Sequence, residues 1–234
     1  MKKLGIIGAM AVEVENLKQQ MRDVKFSNRA GMEFCEGTLA GLPVVVVQCG
    51  VGKVNAALCV QILCDCFGVT HLINTGVAGS LCAELDIGDF VISRDAMYHD
   101  FTCQVLNPAY CVGQVPGLNT REFPADEAMV DLAFAAAEGV HTGHCRIGRI
   151  ASGDQFIADK ARKAQIVADT GAICTEMEGS AIAHAAWRNG IPFVIIRAIS
   201  DKADDSAEMD YPIFEAIAAR RCADVIVAFA QSLI

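Results

Sequence analysis

Positive charge is scarce in this sequence: 19 Lys and Arg stand against 28 Asp and Glu, leaving a formal net charge of −9. No run of Lys and Arg forms the basic stripe that a phosphate backbone requires, which argues against nucleic acid as a partner. Aromatic residues make up only 6% of a chain that is 53% hydrophobic, so the expected core is one of small aliphatic side chains. No apolar run reaches the roughly 18 residues that span a bilayer, and no membrane association is expected. The sequence also lacks a CxxC pair, an internal repeat, a low-complexity segment and a linker. Its 11 cysteines are odd in number, and the nearest pair is Cys64 and Cys66. That pattern fits reduced thiols in a cytoplasmic protein better than a disulfide framework. One stretch imitates a secretory signal, with Lys2 and Lys3 ahead of a short apolar run and Ala9-Met10-Ala11. Cleavage near Ala11 would leave it well short of the roughly 15 to 30 residues such a signal needs, and Glu13 and Glu15 follow at once.

What is present is an alternation of strand and helix signals along 234 residues, long enough for one α/β domain covering 1–234. The pattern predicts strands over Leu4 to Ala9, His71 to Thr75, Asp89 to Arg94, Cys145 to Ser152, Ala172 to Thr175 and Val194 to Asp201. Met32 to Leu39 and Leu42 to Cys49 read as a hairpin turned at Ala40-Gly41. Helices are expected over Val12 to Met21, Lys53 to Cys66, Asp126 to Ala137, Ala158 to Ala168, Glu178 to Asn189 and from about Met209 onward. Gly76-Val77-Ala78-Gly79-Ser80 reads as a glycine-rich turn at a strand end. His99 to Pro124 carries Pro, Gly, Asn and three aromatics without periodicity, and has the length of a lid or interface loop. Strands alternating with helices imply a mixed sheet sandwiched between helical layers.

The most informative stretch is Val194-Ile195-Ile196-Arg197-Ala198-Ile199-Ser200-Asp201, an apolar run that ends in a hydroxyl and a carboxylate. Ligand crevices in α/β sheets lie beyond the carboxyl ends of strands, so an acid delivered there is placed for chemistry, the alternative being a residue that flanks a loop. Arg197 in mid-strand requires a partner if it is buried. Thr175-Glu176-Met177-Glu178-Gly179 places two carboxylates where a short strand gives way to a helix, and one of them is free to cap that helix. With Glu13 these residues supply several carboxylates near strand ends and one cation. General acid, activated water and sugar-hydroxyl recognition in glycosidic cleavage need such a set.

Gly50-Val51-Gly52-Lys53-Val54-Asn55 departs from a dinucleotide fingerprint, because Asn55 takes the third glycine's place. It also fails as a P-loop, since Val47 and Val54 stand where glycine and a hydroxyl residue belong. His71, His99, His141, His144 and His184 are scattered without cysteine or carboxylate clusters, so no metal site is expected.

Taken together, Gly5 to Met10 with Glu13, Gly50 to Val54, Asn74-Thr75-Gly76 with Ala78-Gly79, Tyr98-His99-Asp100, Ser152-Gly153-Asp154 with Phe156-Ile157, Glu176-Met177-Glu178 and Arg197 to Asp201 resemble the bacterial 5′-methylthioadenosine/S-adenosylhomocysteine nucleosidases. These form part of the purine nucleoside phosphorylase and uridine phosphorylase superfamily. The resemblance spans nearly the whole chain. It implies a three-layer α/β/α sandwich with a mixed, partly barrel-like central sheet, working as a homodimer without cofactor or metal. The implied substrates are 5′-methylthioadenosine, S-adenosylhomocysteine and 5′-deoxyadenosine, with adenine and a 5-substituted ribose as products, for methionine salvage. Two other implied possibilities are hydrolysis of aminodeoxyfutalosine and phosphorolysis of purine nucleosides.

By the same resemblance, Asp201 is the general acid for purine N7 and Glu13 orients the attacking water, with Arg197 nearby. Glu178 holds the ribose 2′- and 3′-hydroxyls, beside Glu176, and Met177 lines the sugar. Phe156 stacks on adenine while the Ile157 backbone reads its edge. Met10, Val51, Ala78, Gly79 and Ser200 complete the pocket, and Tyr211 meets the 5′-substituent. Cys103, Leu106 and Pro116, in the 99–124 loop, reach over from the partner subunit. Two departures stand out. Val77 replaces a serine common in the family, leaving Ser200 or a backbone amide to orient Asp201, and Cys103 and Leu106 replace an aliphatic and an aromatic residue.

Overall fold

The computed structural model describes residues 2–140, 143–204 and 207–233. In chain order the elements are β1 (Leu4–Gly8), α1 (Ala11–Gln20), β2 (Arg22–Arg29), β3 (Met32–Leu39), β4 (Leu42–Gln48), α2 (Lys53–Phe67), β5 (His71–Ser80) and β6 (Phe90–Tyr98). They continue as β7 (Phe123–Pro124), α3 (Glu127–Val140), β8 (Cys145–Ser152), α4 (Lys160–Thr170), β9 (Cys174–Glu176), α5 (Gly179–Asn189), β10 (Phe193–Asp201) and α6 (Ala207–Leu233).

Runs such as Val44 to Val47 and Val194 to Ile196 are buried on both faces, as parallel strands covered by helices must be. Successive side chains of a strand point to opposite faces. Val44, Val46, Val194 and Ile196 accordingly join a core with Val14 and Leu17 of α1, Met129 and Ala133 of α3, and Ile226 and Phe229 of α6. Their neighbours Val45, Val47 and Ile195 face the other way, against Ala56, Val60 and Leu63 of α2 and Ile182 and Ala186 of α5. The result is a three-layer α/β/α sandwich.

The central sheet is partly a barrel. β5 pairs in parallel with β10, β10 antiparallel with β6, β6 and β8 in parallel, β8 and β9 in parallel, and β9 returns antiparallel to β5. Outside this ring of five, β1, β4, β3 and β2 extend the sheet from β5. The two parts separate along one edge of β5. His71 to Asn74 pair with β1 there, and Gly79 and Ser80 pair with β9. Thr75 to Ala78 have no strand partner on that edge, and the gap opens the cleft described below.

Two differences from the sequence reading follow from tertiary packing. Gly76 to Ser80 is not a turn but the second half of β5, nine of whose ten residues are buried. Its glycines serve close approach: a Cβ on Gly76 would collide with both the Arg197 guanidinium and the Glu13 carboxylate, and one on Gly79 would lie 2.8 Å from Asp201 Oδ1. β2 carries no apolar alternation because it is an exposed edge strand. Its hairpin with β3 turns at Ala30-Gly31 (φ 49° and 77°), in the same left-handed conformation that Ala40-Gly41 adopts between β3 and β4. The repeated Ala-Gly pair is the signal that marks it.

Candidate active site

The end of β10 departs from regular pairing. Ile199 faces Ala78 and Asp201 faces Gly79, so Ser200 is an extra residue, a bulge. Strict alternation would turn one of two consecutive side chains away, whereas here Ser200 and Asp201 both line the cleft. Asp201 Oδ2 accepts from Ser200 Oγ at 2.9 Å, and Oδ1 accepts from the Ala203 amide at 2.8 Å. Ala203 reaches it from a left-handed conformation (φ 50°). Both substitutes for a family serine at Val77 are thus in use. Burial pushes the Asp201 carboxyl above its ordinary range, and the Ala203 and Ser200 bonds pull only partly the other way.

Glu13 is the third residue of α1 and folds back over the helix start, where unpaired amides favour a carboxylate. Oε2 accepts from the Ala9 and Met10 amides at 2.7 and 3.0 Å, and Oε1 from Val77 at 3.2 Å, across the gap in β5. Burial raises its pKa, opposed by Arg197 and these amides.

The two carboxylates around Met177 divide. Glu176 accepts from Ser152 Oγ, from Arg197 Nη2 and from the Glu178 and Gly179 amides at 3.0 and 2.7 Å. It is therefore the acid that caps α5, and both its oxygens are committed. Glu178 accepts from the Gly52 amide at 2.8 Å, and its Oε2 lies 3.9 Å from Arg197. Burial, and then repulsion from Glu176, push Glu178 up to about 7 against the pull of Arg197 and Gly52.

Arg197 itself is wholly buried behind these groups, with Asn74 as a second acceptor. Burial works against its charge, and Glu176, Glu13 and Glu178 more than offset that, so its pKa rises.

The cleft encloses about 560 Å³ including its open mouth. Met10, Glu13, Val51, Ala78, Gly79, Phe156, Ile157, Glu176, Met177, Glu178, Ser200, Asp201 and Tyr211 all line it. Four carboxylates face it, and among the described lining residues there is no Lys, Arg or His. At its mouth Phe156 and Tyr211 meet edge to face at 5.4 Å, and the Tyr211 hydroxyl bonds Glu215 at 3.1 Å.

A family model described as the phosphorylase superfamily matches residues 3–231. A 5′-methylthioadenosine/S-adenosylhomocysteine nucleosidase of Geobacillus thermodenitrificans is 40% identical over 97% of this chain and 95% of its own. The chain belongs to this nucleosidase family within the phosphorylase superfamily. The crystal structure of a nucleosidase of the same name from Colwellia psychrerythraea 34H, in complex with adenine, superposes with a TM-score of 0.94 at 36% identity, covering 99% of this chain and 96% of that one. A futalosine hydrolase of Helicobacter pylori has a TM-score of 0.93 at 30% identity, with 99% and 98% covered.

Arg197, expected from the sequence among the substrate contacts, does not line the cleft but is buried behind its carboxylates. Cys103, Leu106 and Pro116 do not line the cleft of their own chain, and Leu106 is 80% exposed. Ala9, Gln155 and Thr175 line it without having been named as pocket residues from the sequence, and so does Val77, noted there only for its missing hydroxyl. Each sits next to a named residue, and that adjacency was the available signal. His141 lies outside the described residues. Among the described residues no His, Cys, Asp and Glu cluster has a metal-binding arrangement, and no helix is long and apolar enough to cross a membrane.

The raised pKa of Glu178 fixes the sign of a stability effect. The folded protein holds this proton up to about 7, whereas a free glutamate loses it near 4.5. Glu178 therefore contributes stability that is fully present below about 4.5 and is lost as pH rises through about 7. Glu178→Gln has no proton to lose, so its denaturant midpoint should fall less than the parent's over that window. Parallel curves for the two proteins would refute the assignment.

Proposed function

We propose that this chain hydrolyses the N-glycosidic bond of 5′-methylthioadenosine and S-adenosylhomocysteine, releasing adenine and the 5-substituted ribose, and that residues 1–234 act as one nucleoside-cleaving domain in the cytoplasm. The observation that carries the reading is the cleft's charge: four carboxylates, with the nearest cation sealed behind them. Breaking the C1′–N9 bond leaves positive charge on the ribose and electrons on the purine. In this reading Asp201, whose hold on a proton burial strengthens, delivers that proton to N7. Glu13 orients water, and Glu178 holds the 2′- and 3′-hydroxyls. Ionised acids beside the developing cation stabilise it more in the transition state than in the substrate. Phe156 and Ile157 take the adenine, Met177 the sugar face, and Met10 and Tyr211 the 5′-substituent.

Phosphorolysis fits the cleft poorly. A phosphate brought to about 4 Å from one ionised carboxylate meets about 4 kcal/mol of repulsion at an effective dielectric of 20. Among the described lining residues no cation offsets it. We further propose a homodimer, because Val105 and Leu106 of the 99–124 loop are 99% and 80% exposed and fit a loop that closes a neighbour's cleft through Cys103, Leu106 and Pro116. Sedimentation at assay concentration should give a dimer, and a fully active monomer would contradict it.

The reaction is tested by adenine release from methylthioadenosine, with and without phosphate, identifying the sugar by mass. The expected products are adenine and free 5-methylthioribose at a rate independent of phosphate. Strict phosphate dependence with a sugar 1-phosphate would overturn the reading. Aminodeoxyfutalosine, run as a competing substrate, should be cleaved less efficiently, and preferential cleavage would favour the futalosine hydrolase alternative. Asp201→Asn should lose roughly 10² to 10⁴ in kcat, the usual contribution of a general acid.

A further inference from the structure

Outside the cleft, three segments that are distant in sequence meet on one carboxylate. Asp100, just past β6, accepts from Lys53 Nζ with both oxygens at 2.7 Å and from the Asp154 amide at 2.8 Å. Asp154, just past β8, returns its own carboxylate to the Lys53 amide at 2.9 Å. The three residues form a closed ring of charge-assisted bonds, with Lys53 22% and Asp100 14% exposed in their side chains. The fit is tight: a Cβ on Gly153 would lie 2.9 Å from Asp100 Cγ, and one on Gly52 would lie 3.2 Å from Asp154 Oδ1.

Each arm of the ring leads directly into the cleft. One residue before Lys53 is Gly52, whose amide holds Glu178. One residue after Asp154 begins Gln155-Phe156-Ile157, a wall of the cleft. We propose that Asp100, through Lys53 and Asp154, is a positioning residue that fixes the Gly52 amide on Glu178 and thereby sets how the ribose hydroxyls are held. Glu178 sits at the start of α5; among the described residues the Gly52 amide is its hydrogen-bond donor, with Arg197 Nη2 at 3.9 Å. A loop with Gly50 and Gly52 at positive φ (87° and 99°) holds one geometry only if something outside it is fixed. The Gly50 amide is tied to the Ala9 carbonyl at 3.1 Å, and the ring supplies the fixed point on the Gly52 side.

The inference rests on the ribose role assigned to Glu178, and the experiment keeps the two separate. Asp100→Asn retains an acceptor for the Asp154 amide but loses the charge that anchors Lys53. Its KM should rise about tenfold while kcat stays within about threefold, a loss equal to one charge-assisted hydrogen bond. The penalty should shrink on the 2′-deoxy nucleoside, which leaves only the 3′-hydroxyl to misplace, whereas a general loss of structure would strike both substrates alike. The acid limb of the kcat/KM profile should move to higher pH, because the Gly52 amide stabilises ionised Glu178. The other groups facing Glu178 are Glu176 before α5, Arg197 from β10, Glu13 from α1 and the Cys49 thiol after β4, and all are unchanged in the variant.

Lys53→Met breaks the same ring from the other side and should reproduce the KM effect, deciding the question if Asp100→Asn does not fold. Combining the two should add little to either. Parental KM and pH profile in folded variants, or equal losses on both substrates, would overturn the positioning role. Parental enzyme that itself shows no preference for the 2′-hydroxyl would instead overturn the role of Glu178.

Discussion

A single buried cation holds the cleft together. Arg197 lies in the middle of an apolar strand with no exposed surface, where an unpaired charge would cost several kcal/mol. Its Nη2 is shared by Glu176, at the end of β9, and Asn74, in β5, while the Asn74 amide donates to the Ile7 carbonyl of β1 at 3.0 Å. One polar chain thus crosses β10, β9, β5 and β1 at the level where the barrel and the rest of the sheet part. That separation leaves Thr75 to Ala78 without a strand partner on one edge, and the cleft forms there.

Because Glu176 is consumed by Arg197, Ser152 and the start of α5, the acids left facing the cleft are not equivalent. Glu13 takes three backbone amides, Glu178 one, and Asp201 one amide and one hydroxyl. These side chains thus sit in different hydrogen-bonding environments, and burial raises the pKa of each. The bulge at Ser200 and the left-handed Ala203 belong to the same device. Both place donors on Asp201, and their pull toward the ionised form only partly offsets the effect of burial.

Much of this was legible in the sequence. Apolar runs gave the parallel strands, and an arginine inside one of them pointed to a buried carboxylate partner. The pair Glu176 and Glu178 announced a strand-to-helix junction, but which acid caps and which faces the cleft depends on Arg197, 21 residues away from Glu176. Gly76 to Ser80 misled because glycine reads locally as a turn, whereas here its missing Cβ makes room for Glu13, Arg197 and Asp201. Strand β2 was silent because its exposed faces bury too little to leave an apolar pattern. The ring of Lys53, Asp100 and Asp154 joins positions 47 and 101 residues apart, and no local pattern encodes it.

The dependence of the site on the buried pair is measurable by a double-mutant cycle. Arg197→Met and Glu176→Gln are compared singly and together by denaturant unfolding. Each single change removes one member of the buried ion pair, while Asn74 and Glu178 stay beside Arg197 and Ser152 stays beside Glu176. Each should cost about 3 kcal/mol, the low end for a broken buried pair. Arg197 and Glu176 satisfy one another in this account, so the double variant should lose well under the sum, with a coupling of at least about 1 kcal/mol. Losses that add within about 0.5 kcal/mol would contradict it, because independent sites behave that way.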